Sequence, residues 1–247
     1  MSSRVKALVL SGDGINCELE TKKAFELADI EAEIVHIQDL IFKIRSLSEF
    51  DILSLPGGFS FGDEIKSGKI LALKFKQYLQ TDFDNFYQAK KPIIGICNGF
   101  QALTYLGVFD QGQTQSVALD ENRSGKFINL WVDLKVNSQS ECIWTKGIES
   151  LRLPVRHGEG RVVFARDRET IISKEAALFY SEDINGSHQN IAALTCKYGT
   201  TLGLMPHPEA GIYKMLDPKN AKFNLDTTEA LTIFNNAREY VLSQERR

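Results

Sequence analysis

Clustered positive charge is missing from this chain. Its 29 Lys and Arg are outnumbered by 32 Asp and Glu, the formal net charge is −3, and no block of basic residues interrupts the sequence. A nucleic-acid footprint needs cations gathered on one face, so small polar ligands or protein partners are expected instead. Cysteine is sparse and scattered. Cys17, Cys97, Cys142 and Cys196 form no Cys-x-x-Cys pair, and none of the 4 His stands at metal-ligand spacing from them. Neither a zinc site nor a disulfide framework is expected, and free thiols point to a reducing compartment. No apolar run reaches the length of about 18 residues that a membrane span requires, and the N-terminus lacks the pattern of a secretion signal. Together these absences predict a cytoplasmic protein with no membrane contact.

Two glycine-rich stretches fail as nucleotide loops. Gly12-Asp13-Gly14-Ile15-Asn16-Cys17 has cysteine where a dinucleotide fingerprint needs its third glycine. Gly62 and Gly68-Lys69 enclose five residues instead of four, and Ile70 stands where a phosphate loop needs a magnesium-binding hydroxyl. No cofactor and no metal are expected in this chain.

What the sequence does contain is a series of short apolar runs bounded by turn residues: Val5–Leu10, Ala32–Val35, Ile52–Leu55 and Ile93–Ile96. Helical patterns lie between some of them, at 18–28 and 67–79. Apolar strands alternating with amphipathic helices indicate a parallel sheet covered on both faces. Further on, 128–136, 151–155, 191–196 and 202–205 read as strands with few helices between them, so that part is expected to be antiparallel or mixed. Asp226-Thr227-Thr228-Glu229 has capping-box spacing ahead of a helix with Leu231, Phe234, Ala237 and Val241 on one face. With 247 residues, 43% hydrophobic, the prediction is one α/β domain over residues 1–247, an open, mixed but mostly parallel sheet flanked by helices on both faces.

The chemistry is concentrated in Gly95-Ile96-Cys97-Asn98-Gly99, which follows an apolar strand and opens a helix. A tight strand-to-helix turn lifts a nucleophile above the sheet edge, and the helix N-terminus beside it favours thiolate over thiol. A cysteine at a strand end is by default a small hydrophobe, so a base and an orienting group must accompany it. His207-Pro208-Glu209 supplies both, directly after the apolar run 202–205. Acyl transfer also needs oxyanion donors, for which the N–H groups of Gly58, in Pro56-Gly57-Gly58, and of Asn98 are the candidates. Gln101, one helical turn beyond Cys97, is a candidate for holding a polar substrate headgroup or a solvated helix residue. His157, in His157-Gly158-Glu159-Gly160, lines the pocket or belongs to a turn.

Gly95-Ile96-Cys97-Asn98-Gly99-Phe100-Gln101 and the distant His207-Pro208-Glu209 resemble the signatures of the class I, triad-type glutamine amidotransferases. Further segments are similar to the glutaminase subunits of that class that serve purine biosynthesis. They are 56–63, His157-Gly158-Glu159-Gly160, Asp183-Ile184-Asn185-Gly186-Ser187 and Met205-Pro206-His207-Pro208-Glu209. The resemblance implies a flavodoxin-like fold, with Cys97 as nucleophile, His207 as base and acid, Glu209 as its orienting carboxylate, and oxyanion donors near Gly58 and Asn98. It also implies glutamine as substrate and ammonia as product. The ammonia would pass to a separate synthetase subunit carrying ATP and Mg²⁺, with a small helper subunit as a possible third component. Two other readings stay open on residues alone: a Cys-dependent hydrolase or chaperone-like protein of the same architecture, and a catalytically silent binding subunit.

Overall fold

Strands that are covered on both faces must be apolar at every position rather than at alternate ones. Ile52–Leu55 and Ile93–Ile96 meet that condition and are buried throughout. The computed structural model describes residues 4–63, 65–110, 116–165, 174–220, 222 and 225–245. Its strands are Lys6–Ser11 (β1), Glu31–His36 (β2), Ile52–Leu55 (β3), Ile93–Ile96 (β4), Val117–Glu121 (β5), Ile128–Val136 (β6), Ser150–His157 (β7), Glu159–Phe164 (β8), Ala176–Tyr180 (β9), Ile191–Thr195 (β10) and Thr201–Leu204 (β11). The helices are Glu18–Leu27 (α1), Ile37–Ile41 (α2), Lys69–Lys74 (α3), Gln80–Gln88 (α4), Asn98–Tyr105 (α5) and Ala230–Glu245 (α6).

Nine strands form one sheet in the order β2-β1-β3-β4-β11-β10-β9-β6-β7. From β2 to β11 every pairing is parallel, and from β11 to β7 every pairing is antiparallel. The open, mixed, mostly parallel sheet flanked by helices that the sequence predicts is therefore present, with seven of its nine strands running the same way. The switch has a local cause: β10 and β11 are joined by a short turn, which permits only antiparallel pairing, whereas β1, β3 and β4 are separated by helical crossovers. β5 and β8 pair with each other in a separate two-stranded ribbon.

Register decides where the site lies. Leu55 pairs with Gly95, Gly95 with Gly203 and Ile96 with Leu204, so β3, β4 and β11 end together. The segments that follow them, including Gly57-Gly58, Cys97 and His207, emerge at one carboxyl edge, the usual site of ligand binding in open α/β sheets.

Three local expectations are corrected. The periodic stretch 67–79 is helical only from Lys69, and it passes through a π turn at Phe75–Leu79 before continuing into α4. The capping box at Asp226–Glu229 does not start α6. Thr228 does so, its hydroxyl accepting from the Ala230 N–H at 3.1 Å, while the Asp226 carbonyl is used by the Lys214 N–H at 2.9 Å. On α6 the buried face includes Phe234, Ala237 and Val241 as expected, with Ile233 rather than Leu231 beside them. Phe234 meets Phe25 of α1 edge to face, with ring centroids 5.0 Å apart.

Candidate active site

Cys97 occupies the corner between β4 and α5 with φ 51 and ψ −104, a conformation that costs a non-glycine residue energy and persists only where the surroundings impose it. Its N–H donates to the Leu204 carbonyl at 2.8 Å, and its carbonyl accepts from the Gln101 N–H at 3.1 Å. Crossing backbones hold the turn from both sides. A Cβ added at Gly99 would fall 1.8 Å from the Leu55 carbonyl oxygen, so only glycine lets the first turn of α5 rest on the end of β3. The thiol is 6% exposed and directed at the Arg156 carbonyl at 3.7 Å.

His207 follows β11, its N–H donating to the Pro154 carbonyl at 2.9 Å. The 3-10 turn at Glu209–Gly211 carries Glu209 back so that its Oε1 accepts from His207 Nδ1 at 2.6 Å. That bond assigns the ring proton to Nδ1 and leaves Nε2 as the working nitrogen. Both side chains are buried, and His207 Nε2 and Glu209 Oε2 have no hydrogen-bond partner among the described residues. Burial pushes the imidazole pKa down. The Glu209 carboxylate, with the thiols of Cys17 and Cys97 beside the ring, outweighs burial and holds it well above the ordinary histidine value.

The Gly57-Gly58 turn is built against the loop after β1. Gly58 has φ 145, and a Cβ there would stand 2.7 Å from the Gly14 carbonyl oxygen. Phe59 N–H donates to the Gly14 carbonyl at 2.8 Å, and the N–H groups of Asn16 and Cys17 donate to the Gly57 carbonyl at 3.3 Å. The stretch Gly12–Cys17, which fails as a nucleotide loop, is thus the buttress of the candidate oxyanion turn. Ser60 N–H donates to Asn98 Oδ1 at 3.1 Å, tying that turn to the first residue of α5.

Gln101 is buried, and both ends of its amide are engaged. Oε1 accepts from Asn98 Nδ2 at 3.1 Å, and Nε2 donates to the Glu159 carbonyl at 2.6 Å. In this arrangement it braces Asn98 and β8. His157 is also buried, with Nδ1 3.0 Å from Asn122 Oδ1. The Asn122 amide group already donates to the Lys126 and His157 carbonyls, so its Oδ1 is the acceptor and Nδ1 of His157 carries the proton. Nε2 is then an acceptor with no partner among the described residues. Burial, followed by the charge of His207, lowers the His157 pKa to about 4, so this ring is neutral.

Three further residues belong to this neighbourhood and were not singled out from sequence. Cys17 lies against His207, Asn122 orients His157, and Tyr180, on β9, keeps a buried hydroxyl without a partner among the described residues. Burial and then the Cys97 thiol raise the Tyr180 pKa. A cleft of about 810 Å³ beside β6, β7 and the start of α6 has no cysteine or histidine among its described lining residues and is set apart from this chemistry. A shallower groove of about 440 Å³ passes Glu209 and Arg156.

The sheet edge and this cysteine–histidine–carboxylate cluster define a glutamine amidotransferase of the triad class. The CobB/CobQ-like glutamine amidotransferase domain matches residues 4–241. The phosphoribosylformylglycinamidine synthase subunit PurQ of Methanococcus maripaludis is 40% identical, with 95% of this chain and 97% of the relative covered. The subunit PurQ of Dehalococcoides mccartyi is 38% identical at the same coverage. Among solved structures, a chain of PurLQS from Thermotoga maritima superposes with a TM-score of 0.79 at 29% identity, covering 97% of this chain and 100% of that one. The chain belongs to the CobB/CobQ-like glutamine amidotransferases and, within them, to the PurQ family of phosphoribosylformylglycinamidine synthase subunits. No helix among the described residues is long and apolar enough to cross a membrane.

Proposed function

We propose that this chain, as a single domain over residues 1–247, is the cytoplasmic glutaminase subunit of phosphoribosylformylglycinamidine synthase. Cys97 transfers its proton to His207 and attacks the side-chain carboxamide carbon of glutamine, and the N–H groups of Gly58 and Asn98 receive the oxyanion. His207 returns the proton to the departing nitrogen, ammonia leaves, and a glutamyl thioester is left on Cys97. Water then gives one proton to His207 and adds to the thioester carbonyl. Collapse of that intermediate releases glutamate and restores the thiol. Glu209 orients the imidazole and stabilises its charged form. Gln101 and His157 belong to the substrate side of the site, Gln101 by fixing Asn98 and His157 by offering Nε2 as an acceptor to the substrate ammonium.

Ammonia is captured by protons in bulk water, so it is handed directly to a synthetase subunit that binds ATP and Mg²⁺, with a small helper subunit completing the complex. The observation that carries this reading is the buried His207–Glu209 contact of 2.6 Å beside a strained cysteine. The relatives named PurQ, similar over nearly the whole chain, supply the assignment to purine synthesis. The test is reconstitution with the synthetase. Cys97→Ala abolishes glutamine-dependent synthesis and leaves ammonia-dependent synthesis intact; loss of both activities, or of neither, contradicts the reading.

A further inference from the structure

Cys17 neither attacks the substrate nor transfers a proton in the reaction above, yet it is held firmly beside His207. Its N–H is fixed on the Gly57 carbonyl, and its own carbonyl accepts from the Thr21 hydroxyl at 2.7 Å and the Thr21 N–H at 3.1 Å. A Cβ placed on Gly57 would touch Cys17 Sγ at 3.3 Å and His207 Nδ1 at 3.4 Å, so sulfur and ring face each other across a missing side chain. One donor atom from each of Cys17, His207 and Glu209 lies within 4.8 Å of the others. His207 and Glu209 are 3% and 2% exposed, and each keeps one polar atom without a hydrogen-bond partner among the described residues. Cys17 is half-buried, which leaves an approach from solvent.

Sulfur, imidazole nitrogen and carboxylate oxygen form a donor set for a thiophilic divalent ion. Mg²⁺ and Ca²⁺ call for oxygen alone. We propose that Cys17, His207 and Glu209 constitute an inhibitory site for Zn²⁺ or a similar thiophilic divalent cation, which occupies the catalytic base and silences glutamine hydrolysis. Binding exchanges two protons for bonds to the metal, the Cys17 S–H proton and the Nδ1 proton of the imidazolium form of His207, the ring nitrogen that faces Cys17; both pass to solvent, Nε2 keeps its proton and can no longer act as the base, and no oxidation state changes. The three protein donors leave a fourth tetrahedral position for water. Sequence spacing does not reveal this site, because Cys17 is separated from His207 and Glu209 by most of the chain and meets them only at the sheet edge.

Co²⁺ serves as the spectroscopic probe. The full chain takes up a single equivalent with a thiolate-to-cobalt charge-transfer band, and Zn²⁺ displaces it. Cys97→Ala keeps the band, whereas Cys17→Ser loses it and binds Zn²⁺ about ten-fold or more weakly; Cys17→Ala provides the same reading if serine disturbs the loop. In the reconstituted complex Zn²⁺ suppresses glutamine-dependent but not ammonia-dependent synthesis, and Cys17→Ser, assayed relative to its own metal-free rate, escapes. A band retained by both Cys17 variants, a band lost in Cys97→Ala, or equal Zn²⁺ sensitivity of parent and Cys17→Ser would overturn the assignment. The metal titration reads independently of glutamine turnover, so its failure leaves the glutaminase reading untouched.

Discussion

Gly99→Ala tests whether the nucleophile corner depends on backbone contact between α5 and β3. The added methyl would fall 1.8 Å from the Leu55 carbonyl oxygen, 2.6 Å from its carbon and 2.9 Å from Leu55 Cβ. A carbon rests against a carbonyl oxygen at about 3.3 Å, so the helix must retreat by roughly 1.5 Å. All three obstructing atoms belong to the main chain or to a Cβ, and Leu55 is fully buried, so no flexible side-chain end can move aside. Overpacking of this kind costs about 1–3 kcal/mol. The same retreat carries Cys97 and Asn98 away from the His207 side of the edge, and a misplacement of about 1 Å is worth roughly 100-fold in rate. Urea unfolding should therefore show a lower midpoint. The reconstituted complex should lose about 100-fold in glutamine-dependent turnover, with ammonia-dependent synthesis unchanged. A Gly99→Ala protein with the parent's midpoint and turnover would refute the claim that this crossing positions the nucleophile.

The parts of the fold that could be read from sequence are those whose cause is local. Ile52–Leu55, Ile93–Ile96 and Ile128–Val136 are continuous or nearly continuous β-forming runs between turn residues, and β3, β4 and β6 have those bounds. β5, β8 and β9 were not read. β8 opens with Glu159-Gly160-Arg161, β5 ends in Asp120-Glu121, and β9 begins with two alanines, so none advertises a strand by itself. They are strands because of partners that are remote in sequence: Val117 pairs with Phe164, and Leu178 pairs with Val136 and Ala193. The failed cap at Asp226 has the same origin. An isolated bridge between Tyr213 and Thr227 claims that backbone and pushes the helix start forward to Thr228.

The candidate site divides in the same way. The Cys97 corner, the His207–Glu209 turn and the double glycine at 57–58 are each encoded within a few residues, and each has the predicted local form. The contacts between segments were not legible. Gln101 looked free to meet a headgroup, but Glu159 and Asn98 take both ends of its amide, and the Glu159 partner lies on a strand that was not foreseen. Tyr180 went unnoticed because β9 did. The loop Gly12–Cys17 does not fit a nucleotide fingerprint. Its role against Gly57-Gly58 and His207 is a tertiary one that no single window of sequence contains.

Three other perturbations separate the groups at this edge. Glu209→Gln keeps the shape but removes the charge 2.6 Å from His207, so burial prevails and the imidazole pKa falls. Glutamine-dependent turnover should drop on the order of 10³–10⁴-fold, as for the corresponding isostere in a serine triad, and a variant within about ten-fold of the parent would show that the carboxylate charge is dispensable. Tyr180→Phe removes a buried hydroxyl without a partner among the described residues. Its unfolding free energy should be unchanged or higher by up to about 1 kcal/mol, and a clear loss would reveal a bond to that oxygen. His157 gives the pH test. Its folded pKa of about 4 lies below the unfolded histidine value, so protons favour the unfolded chain: stability from this residue is complete above about pH 6.5 and is lost as pH falls towards 4, by about 3 kcal/mol in full. His207, with a raised pKa, acts in the opposite sense, its contribution being present at low pH and lost as pH rises through its folded value. Urea midpoints of the parent and of His157→Gln, measured between about pH 7 and 4.5, therefore isolate the one from the other. The parent should lose stability more steeply on acidification than the variant, and parallel curves would mean that His157 is not the neutral, buried ring described.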